Sequence, residues 1–126
     1  MRDPIYEPRG AAREYAGLAL NIYVIGPVTG KENENREEFE RVRVELDAVG
    51  HHADIPHGWV KSGADWDVAM KHSIYRMLHL WTFSREYDEG FGIAMLDGWE
   101  DSRGARIEHD LAMSLGIECR PWMEWL

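Results

Sequence analysis

The stretch Asn21-Ile-Tyr-Val-Ile-Gly-Pro-Val-Thr-Gly30 decides the fold of this chain. Residues 22–25 form an unbroken apolar run that is rich in β-branched side chains, and the run stops at Gly26 and Pro27. An apolar run without polar alternation is typical of a strand that is buried on both faces of a parallel sheet. The stretch therefore predicts the first strand of an α/β domain, followed by a turn.

The rest of the chain alternates between helical and strand patterns. Helical spacing of apolar residues predicts three helices, over residues 35–49, 65–81 and 102–115. Short apolar runs predict three further strands, at residues 52–56, 93–96 and 117–120. The order β-α-β-α-β-α-β predicts a parallel sheet with right-handed crossovers and helices on both faces.

Local signals set the expected ends of these elements. Asn35 is predicted to cap the first helix, with Glu38 in the capping-box position three residues later. The polar, charged residues 84–90 are predicted to form a loop. The first 20 residues, with two prolines and mixed charge, are predicted to be an N-terminal arm, and residues 21–126 the domain.

Size and charge narrow the classes of function. The chain has 126 residues, enough for one domain, and a formal net charge of −9, which argues against duplex nucleic acid and anionic membranes as partners. A single cysteine excludes an internal disulfide, and with the missing signal peptide it indicates the cytoplasm. The six histidines show no ligand spacing on a common face, so no metal site and no cofactor are expected.

Two loops are candidates for a ligand site, because parallel sheets bind ligands beyond the carboxyl ends of their strands. One covers residues 26–31, and the other covers residues 97–104 with Asp97, Gly98 and Trp99. The first is not a P-loop, since only three residues separate its glycines and Glu32 stands where Ser or Thr would hold magnesium. It is either a plain strand-to-helix turn or an anion-accepting turn.

The most informative residues open the last helix. Ser102 is predicted to cap it, and Gly104 permits close approach of a ligand to its first N–H groups, which favour phosphate or carboxylate. Glu108 lies one to two turns further, at the border of the apolar face. The alternative interpretation is an ordinary capped amphipathic helix. The tryptophans near the end, Trp122 and Trp125, are expected to cover a sheet edge or contact a second subunit.

The first-strand motif, the run Gly50-His-His-Ala-Asp-Ile-Pro56 and the run from Leu96 to Ala112 resemble the nucleoside 2-deoxyribosyltransferase superfamily, in particular a short subgroup found in phages and prophages. The resemblance implies a flavodoxin-like or Rossmann-like, doubly wound parallel sheet of four to five strands. It also implies cleavage of a nucleoside or nucleotide N-glycosidic bond, or deoxyribosyl transfer, in a homodimer or larger homo-oligomer.

The family pattern implies roles for individual residues. Glu108 matches the nucleophile, Ser102 the residue at the 5′ or phosphate side, and Tyr23 a tyrosine that lines the pocket. Gly26 and Gly30 match the first-strand turn, and Pro27, Gly98, Trp99 and Gly104 are expected beside the ligand.

One departure from the pattern keeps alternatives open. Ser73, in the run Met70-Lys-His-Ser73, stands where the family has an Asp. Asp88 and Asp97 are the candidates for the missing second acid, with Glu89 beside them. If no acid reaches the pocket, the alternative is a phage protein that binds and sequesters a nucleotide derivative without turnover. A third hypothesis is an interaction protein that uses the aromatic tail.

Overall fold

The computed structural model describes residues 19–126, so the predicted arm, residues 1–20, lies outside the described residues except for its last two. Four strands and three longer helices alternate along the chain. In chain order they are β1 (Leu20–Ile25), α1 (Arg36–Ala48), β2 (His52–Asp54), α2 (Trp66–Glu86), β3 (Gly90–Met95), α3 (Arg103–Ser114) and β4 (Cys119–Pro121).

The sheet is parallel throughout, with the strand order β2-β1-β3-β4. β1 pairs with β3 from Leu20↔Gly90 to Ile25↔Met95, and with β2 on its other side. This confirms the predicted α/β class and the flavodoxin-like or Rossmann-like sheet. The chain leaves β1 for β2 on one side and later crosses to β3 on the other, so the carboxyl ends of β1 and β3 form the topological switch point.

Helices cover both faces of the sheet. Ile22 and Val24 of β1 pack with buried side chains of α1, whereas Tyr23 and Ile25 pack with buried side chains of α2 and α3. The period of two in a strand sends alternate side chains to opposite faces, which explains why the run had to be apolar throughout. No helix among residues 19–126 combines the length and the apolar character needed to cross a bilayer.

The two terminal tryptophans fill the α1 face of the core. Trp122 is 6% exposed and Trp125 is 3% exposed, and the indole N–H of Trp125 donates to the carbonyl of Ile93 at 3.0 Å. Gly92 leaves room for this ring, because a Cβ there would lie 2.4 Å from the Trp125 side chain. The tail therefore packs within its own chain. The homo-oligomer stays a prediction that rests on the family resemblance, because the two tail tryptophans are buried within their own chain.

Two local predictions were wrong. The predicted loop at residues 84–90 is largely helical or strand, because α2 continues through Glu86 and β3 begins at Gly90. Ser84 is buried in that last turn, where its hydroxyl donates to the carbonyl of Leu80 and accepts from Asn21, so a polar residue there did not mark a loop. Asn35 precedes α1 as predicted, but its amide donates to the carbonyl of Pro27 instead of accepting a capping bond.

Candidate functional site

A cavity of about 310 Å³ opens at the switch point of the sheet. Its walls come from the loops after β1 and β2 and from the first turns of α2 and α3. Concave sites at this place are the usual ligand sites of doubly wound folds. The predicted residues that line it are Gly26, Gly30, Ser73, Ser102, Gly104 and Glu108.

Glu108 is the central acidic group of the cavity. It lies in the second turn of α3 and is only 6% exposed. Its Oε2 accepts a hydrogen bond of 2.5 Å from the hydroxyl of Ser73, on α2. Burial raises the pKa of Glu108 to about 7, although the Ser73 hydrogen bond acts to lower it. A carboxyl whose pKa is raised towards neutral pH can take up and release a proton under physiological conditions, which suits a nucleophile or a proton-transfer group.

Behind Glu108, the hydroxyl groups of Ser73 and Tyr23 form a hydrogen-bonded chain. The Tyr23 hydroxyl lies 2.6 Å from Ser73 Oγ, and both residues are buried. Ser73 gives its proton to the carboxylate, so Tyr23 must be the donor to Ser73. Burial and the charge of Glu108 raise the pKa of Tyr23 well above its usual value, so the phenol keeps its proton. Tyr23, predicted to line the pocket, is not among the residues that line the cavity, but it orients Ser73, which holds Glu108.

The start of α3 forms a second side of the cavity. The side chain of Ser102 accepts a hydrogen bond of 3.2 Å from the backbone N–H of Ala105, which confirms the predicted cap. Gly104 is buried against Met70, whose sulfur would lie 2.7 Å from an added Cβ. Gly26 is equally close to Leu96, with 2.7 Å between an added Cβ and the Cβ of that leucine. Glycine at both positions therefore lets the neighbouring elements approach closely at the cavity.

The opposite wall contains acidic and imidazole groups that the sequence analysis missed. Glu34 lines the cavity, and its carboxylate accepts from the backbone N–H of Gly63 at 3.1 Å. This bond and one from Ser62 lower the pKa of Glu34. The carbonyl of Glu34 lies 2.7 Å from Nε2 of His57, which also lines the cavity. Burial lowers the pKa of that imidazole.

Three consecutive non-glycine residues, of which the middle one, Glu34, lines the cavity, adopt left-handed backbone conformations. The φ angles are +50° at Asn33, +57° at Glu34 and +58° at Asn35. Asparagine tolerates this region better than most residues, whereas glutamate does not, so Glu34 is the strained member. Such strain is concentrated at binding and catalytic sites. The two asparagines were a usable sequence signal of this turn.

Besides Tyr23, five predicted residues lie outside the cavity lining. Asp97 and Gly98 are exposed in the turn after β3, and Trp99 packs on the ring of His109 at 4.3 Å. Pro27 is buried, and its carbonyl accepts a hydrogen bond from the side chain of Asn35, the residue before α1. Asp88 lies in the turn between α2 and β3, with a φ of +56°. Because that turn is at the amino end of β3, it lies at the opposite edge of the sheet from the cavity.

The remaining walls are apolar or cationic. Val60, Trp66 and Met70 supply apolar surface, and the guanidinium of Arg103 lies 4.2 Å from the Trp66 ring centroid. Exposed Lys31 and Lys61 add positive charge to the lining. A buried carboxylate, a helix start, cations and an apolar wall can together hold a small molecule that has an anionic end and a planar ring.

The cavity and the strands, apart from the last residue of β4, fall within a recognised family region. The model of a family described as "Domain of unknown function (DUF4406)" matches residues 20–120. That range begins at the first residue of β1 and includes all of the residues that line the cavity. No curated protein matches the chain, and no solved structure matches it.

Proposed function

The chain belongs to the DUF4406 family, whose description assigns no function, and from the chemistry of its cavity we propose that it cleaves or transfers the glycosyl group of a nucleoside or nucleotide, with Glu108 as the nucleophile. The observation that supports this most is the buried Glu108 carboxylate in the cavity wall, held through one oxygen by Ser73. Because the Ser73 hydrogen bond is made to Oε2, Oε1 is the oxygen that we propose attacks the substrate.

The proposed reaction follows the double-displacement logic of retaining glycosidases. Oε1 of Glu108 attacks the anomeric carbon through an oxocarbenium-like state, the base departs, and a glycosyl ester forms. Water or another base then releases the sugar. The two hydrogen bonds from Tyr23 to Ser73 and from Ser73 to Glu108 hold the carboxylate in one rotamer. This reduces the entropic cost of reaching the attacking geometry.

The phosphate of a nucleotide would lie at the start of α3. The first N–H groups of a helix favour an anion, and Ser102 and Gly104 bring that helix end to the cavity. Lys31 and Lys61 add positive charge in the same cavity. Val60, Trp66 and Met70 would then contact the base.

Replacing Glu108 by Gln tests this proposal. Glutamine keeps the shape and an oxygen that can accept from Ser73, but it cannot form the glycosyl ester. Chromatography of free bases, after incubation with a panel of nucleosides and nucleotides, should show release by the wild type and a loss of several powers of ten in Glu108→Gln. Glu118→Gln, a change outside the cavity lining at a carboxylate that pairs with Arg120 beside β4, is the matched control and should keep the wild-type rate. Undiminished base release by Glu108→Gln would exclude the nucleophile.

A second candidate function is binding of a nucleotide derivative without turnover, as in a phage protein that sequesters a signal. The observation in its favour is that neither Asp88 nor Asp97 lines the cavity. Calorimetry separates the candidates: tight binding of a nucleotide by the wild type, with no base or sugar released over hours, would select sequestration. In either case we propose a cytoplasmic location, which suits the half-buried free thiol of Cys119.

A further inference from the structure

Departure of the base is the step for which the cavity is least equipped. When the bond from C1′ to a neutral purine or pyrimidine breaks, the base nitrogen takes the electron pair and needs a proton to leave easily. Glycosidases supply that proton from a second carboxyl group. Among the described residues that line this cavity, the carboxyl groups are those of Glu108 and Glu34.

Glu34 is not suited to donate a proton. Its carboxylate accepts the backbone N–H of Gly63 and a bond from Ser62, and both contacts stabilise the ionised form. It is therefore a fixed negative charge in the wall of the cavity. The backbone carbonyl of Glu34 accepts a hydrogen bond from Nε2 of His57. A neutral imidazole has one N–H, so His57 has no other proton to give to the base.

The two hydroxyl protons near Glu108 are already used in hydrogen bonds. Ser73 gives its proton to Glu108 Oε2, and Tyr23 gives its proton to Ser73. Neither hydroxyl has a second proton to pass to a departing base. Lys31 and Lys61 are exposed cations that suit the phosphate end. The described cavity thus holds a nucleophile without an acid for the leaving group.

We propose that the substrate is a nucleotide whose base carries a fixed positive charge, such as a pyridinium or an N7-alkylated purine. This inference rests on the proposed function and names its substrate class. A cationic base leaves as a neutral molecule, so it needs no proton from the protein. The anionic Glu34 and the apolar side chain of Met70 line the same cavity, and both suit a flat cation, whereas the Trp66 ring is already contacted by the guanidinium of Arg103.

The step balances without any further reactant. Oε1 of Glu108 forms a bond to C1′ while the C1′–N bond breaks. The electron pair of the broken C1′–N bond passes to the cationic base and neutralises it. Water then attacks C1′, the ester bond breaks, and its electrons return to the Glu108 carboxylate. The proton lost by the water passes to the solvent. The products are the neutral base and the sugar phosphate.

A matched pair of substrates tests the inference. Guanosine 5′-monophosphate and 7-methylguanosine 5′-monophosphate differ by one methyl group and the positive charge that it fixes. Base release from each is measured by chromatography and divided by the spontaneous rate, because the methylated compound is intrinsically less stable. Nicotinamide mononucleotide serves as a second cationic probe. A missing acid costs about 10²–10⁴-fold, so the acceleration should be larger by about that factor for the cationic substrates.

The variants give the controls. Glu108→Gln should abolish release from every substrate, and Glu34→Gln should weaken binding of 7-methylguanosine 5′-monophosphate but not of guanosine 5′-monophosphate. Equal acceleration for the neutral and the methylated nucleotide would overturn the cationic substrate class and leave the proposed function standing. Binding of these nucleotides without release of any base would overturn the glycosyl-transfer function and the substrate class together.

Discussion

Ser73 Oγ donates its proton to Glu108 Oε2 across 2.5 Å, between two residues that lie on different helices and are both buried. A hydrogen bond to an ionised carboxylate stabilises the ionised form and lowers its pKa. This contact therefore counteracts the burial that raises the pKa of Glu108 to about 7.

Replacing Ser73 by Ala should raise the pKa of Glu108 further. A hydrogen bond to a charged group is worth about 1.5–3 kcal/mol, which corresponds to roughly one to two pH units. The titration of Glu108 is followed directly by NMR of the labelled side-chain carboxyl. Ser73→Thr keeps the hydroxyl and should keep the wild-type midpoint. An unchanged midpoint in Ser73→Ala would show that this bond does not set the ionisation of Glu108.

Stability should depend on pH through Glu108. Because burial raises its folded-state pKa from 4.5 to about 7, folding favours the protonated form. That contribution is fully present below pH 4.5 and is lost as the pH rises through 7. A shift of this size corresponds to about 3 kcal/mol as an order of magnitude. Glu108→Gln should therefore unfold at higher urea than the wild type at pH 8.5, with the advantage shrinking towards pH 4.5.

The comparison at the two pH values is the control for other effects of the substitution. A packing difference between glutamine and glutamate would shift the urea midpoint equally at both pH values. A stability difference between wild type and Glu108→Gln that is independent of pH would contradict the buried, perturbed carboxyl.

Replacing Ser102 by Asp should weaken phosphate binding without weakening the fold. Aspartate caps helices as well as serine does, and its charge is favourable at a helix start, so α3 keeps its cap. The same charge would repel a phosphate there, at a cost of at least about 1.5 kcal/mol, or tenfold in affinity. Calorimetry with a nucleoside 5′-monophosphate measures this loss. The nucleoside without phosphate should bind both proteins alike; an equal loss for it would remove the phosphate from this helix end.

Replacing Gly26 by Ala should destabilise the protein by about 1–3 kcal/mol, the usual cost of overpacking a filled core. The added Cβ would lie 2.7 Å from the Cβ of Leu96 and 2.9 Å from its Cδ1, so β1 and β3 would have to separate where the cavity begins. Gly58→Ala is the matched control, since no heavy atom lies within 4 Å of its added Cβ. Thermal unfolding compares the two. Equal melting temperatures would show that this contact is not tight in solution.

Much of the fold was predictable because its signals are local. The apolar run of β1 and the Ser102 cap depend on neighbours within a few residues, and both were placed correctly. The prediction of a loop around Ser84 was wrong because its hydroxyl donates to a carbonyl of its own helix and accepts from Asn21, 63 positions away in sequence. Polarity alone does not distinguish such a buried residue from a loop residue.

The same division applies to the site. Glu108 and Ser102 share one helix start, so their spacing was enough to bring them to one cavity. Glu34 reaches the cavity only because its backbone is left-handed and its carboxylate meets Gly63 from another loop. Asp88 looked close to β3 in sequence, but it lies at the amino end of that strand, and direction along a strand decides which edge of the sheet a residue reaches.

The pairing of β1 with β3 also sets the order in which this protein can assemble. Leu20 pairs with Gly90, seventy positions further along the chain, whereas Asn21 of β1 pairs with His52 of β2, only 31 positions further along. Loop closure makes distant pairings slow, so the β1-α1-β2 unit can form before β3 docks. The cavity exists only after that docking, since Glu108 and Ser102 follow β3 in the chain. A ligand bound there would hold together the last contacts to form, and would slow unfolding more than it speeds folding.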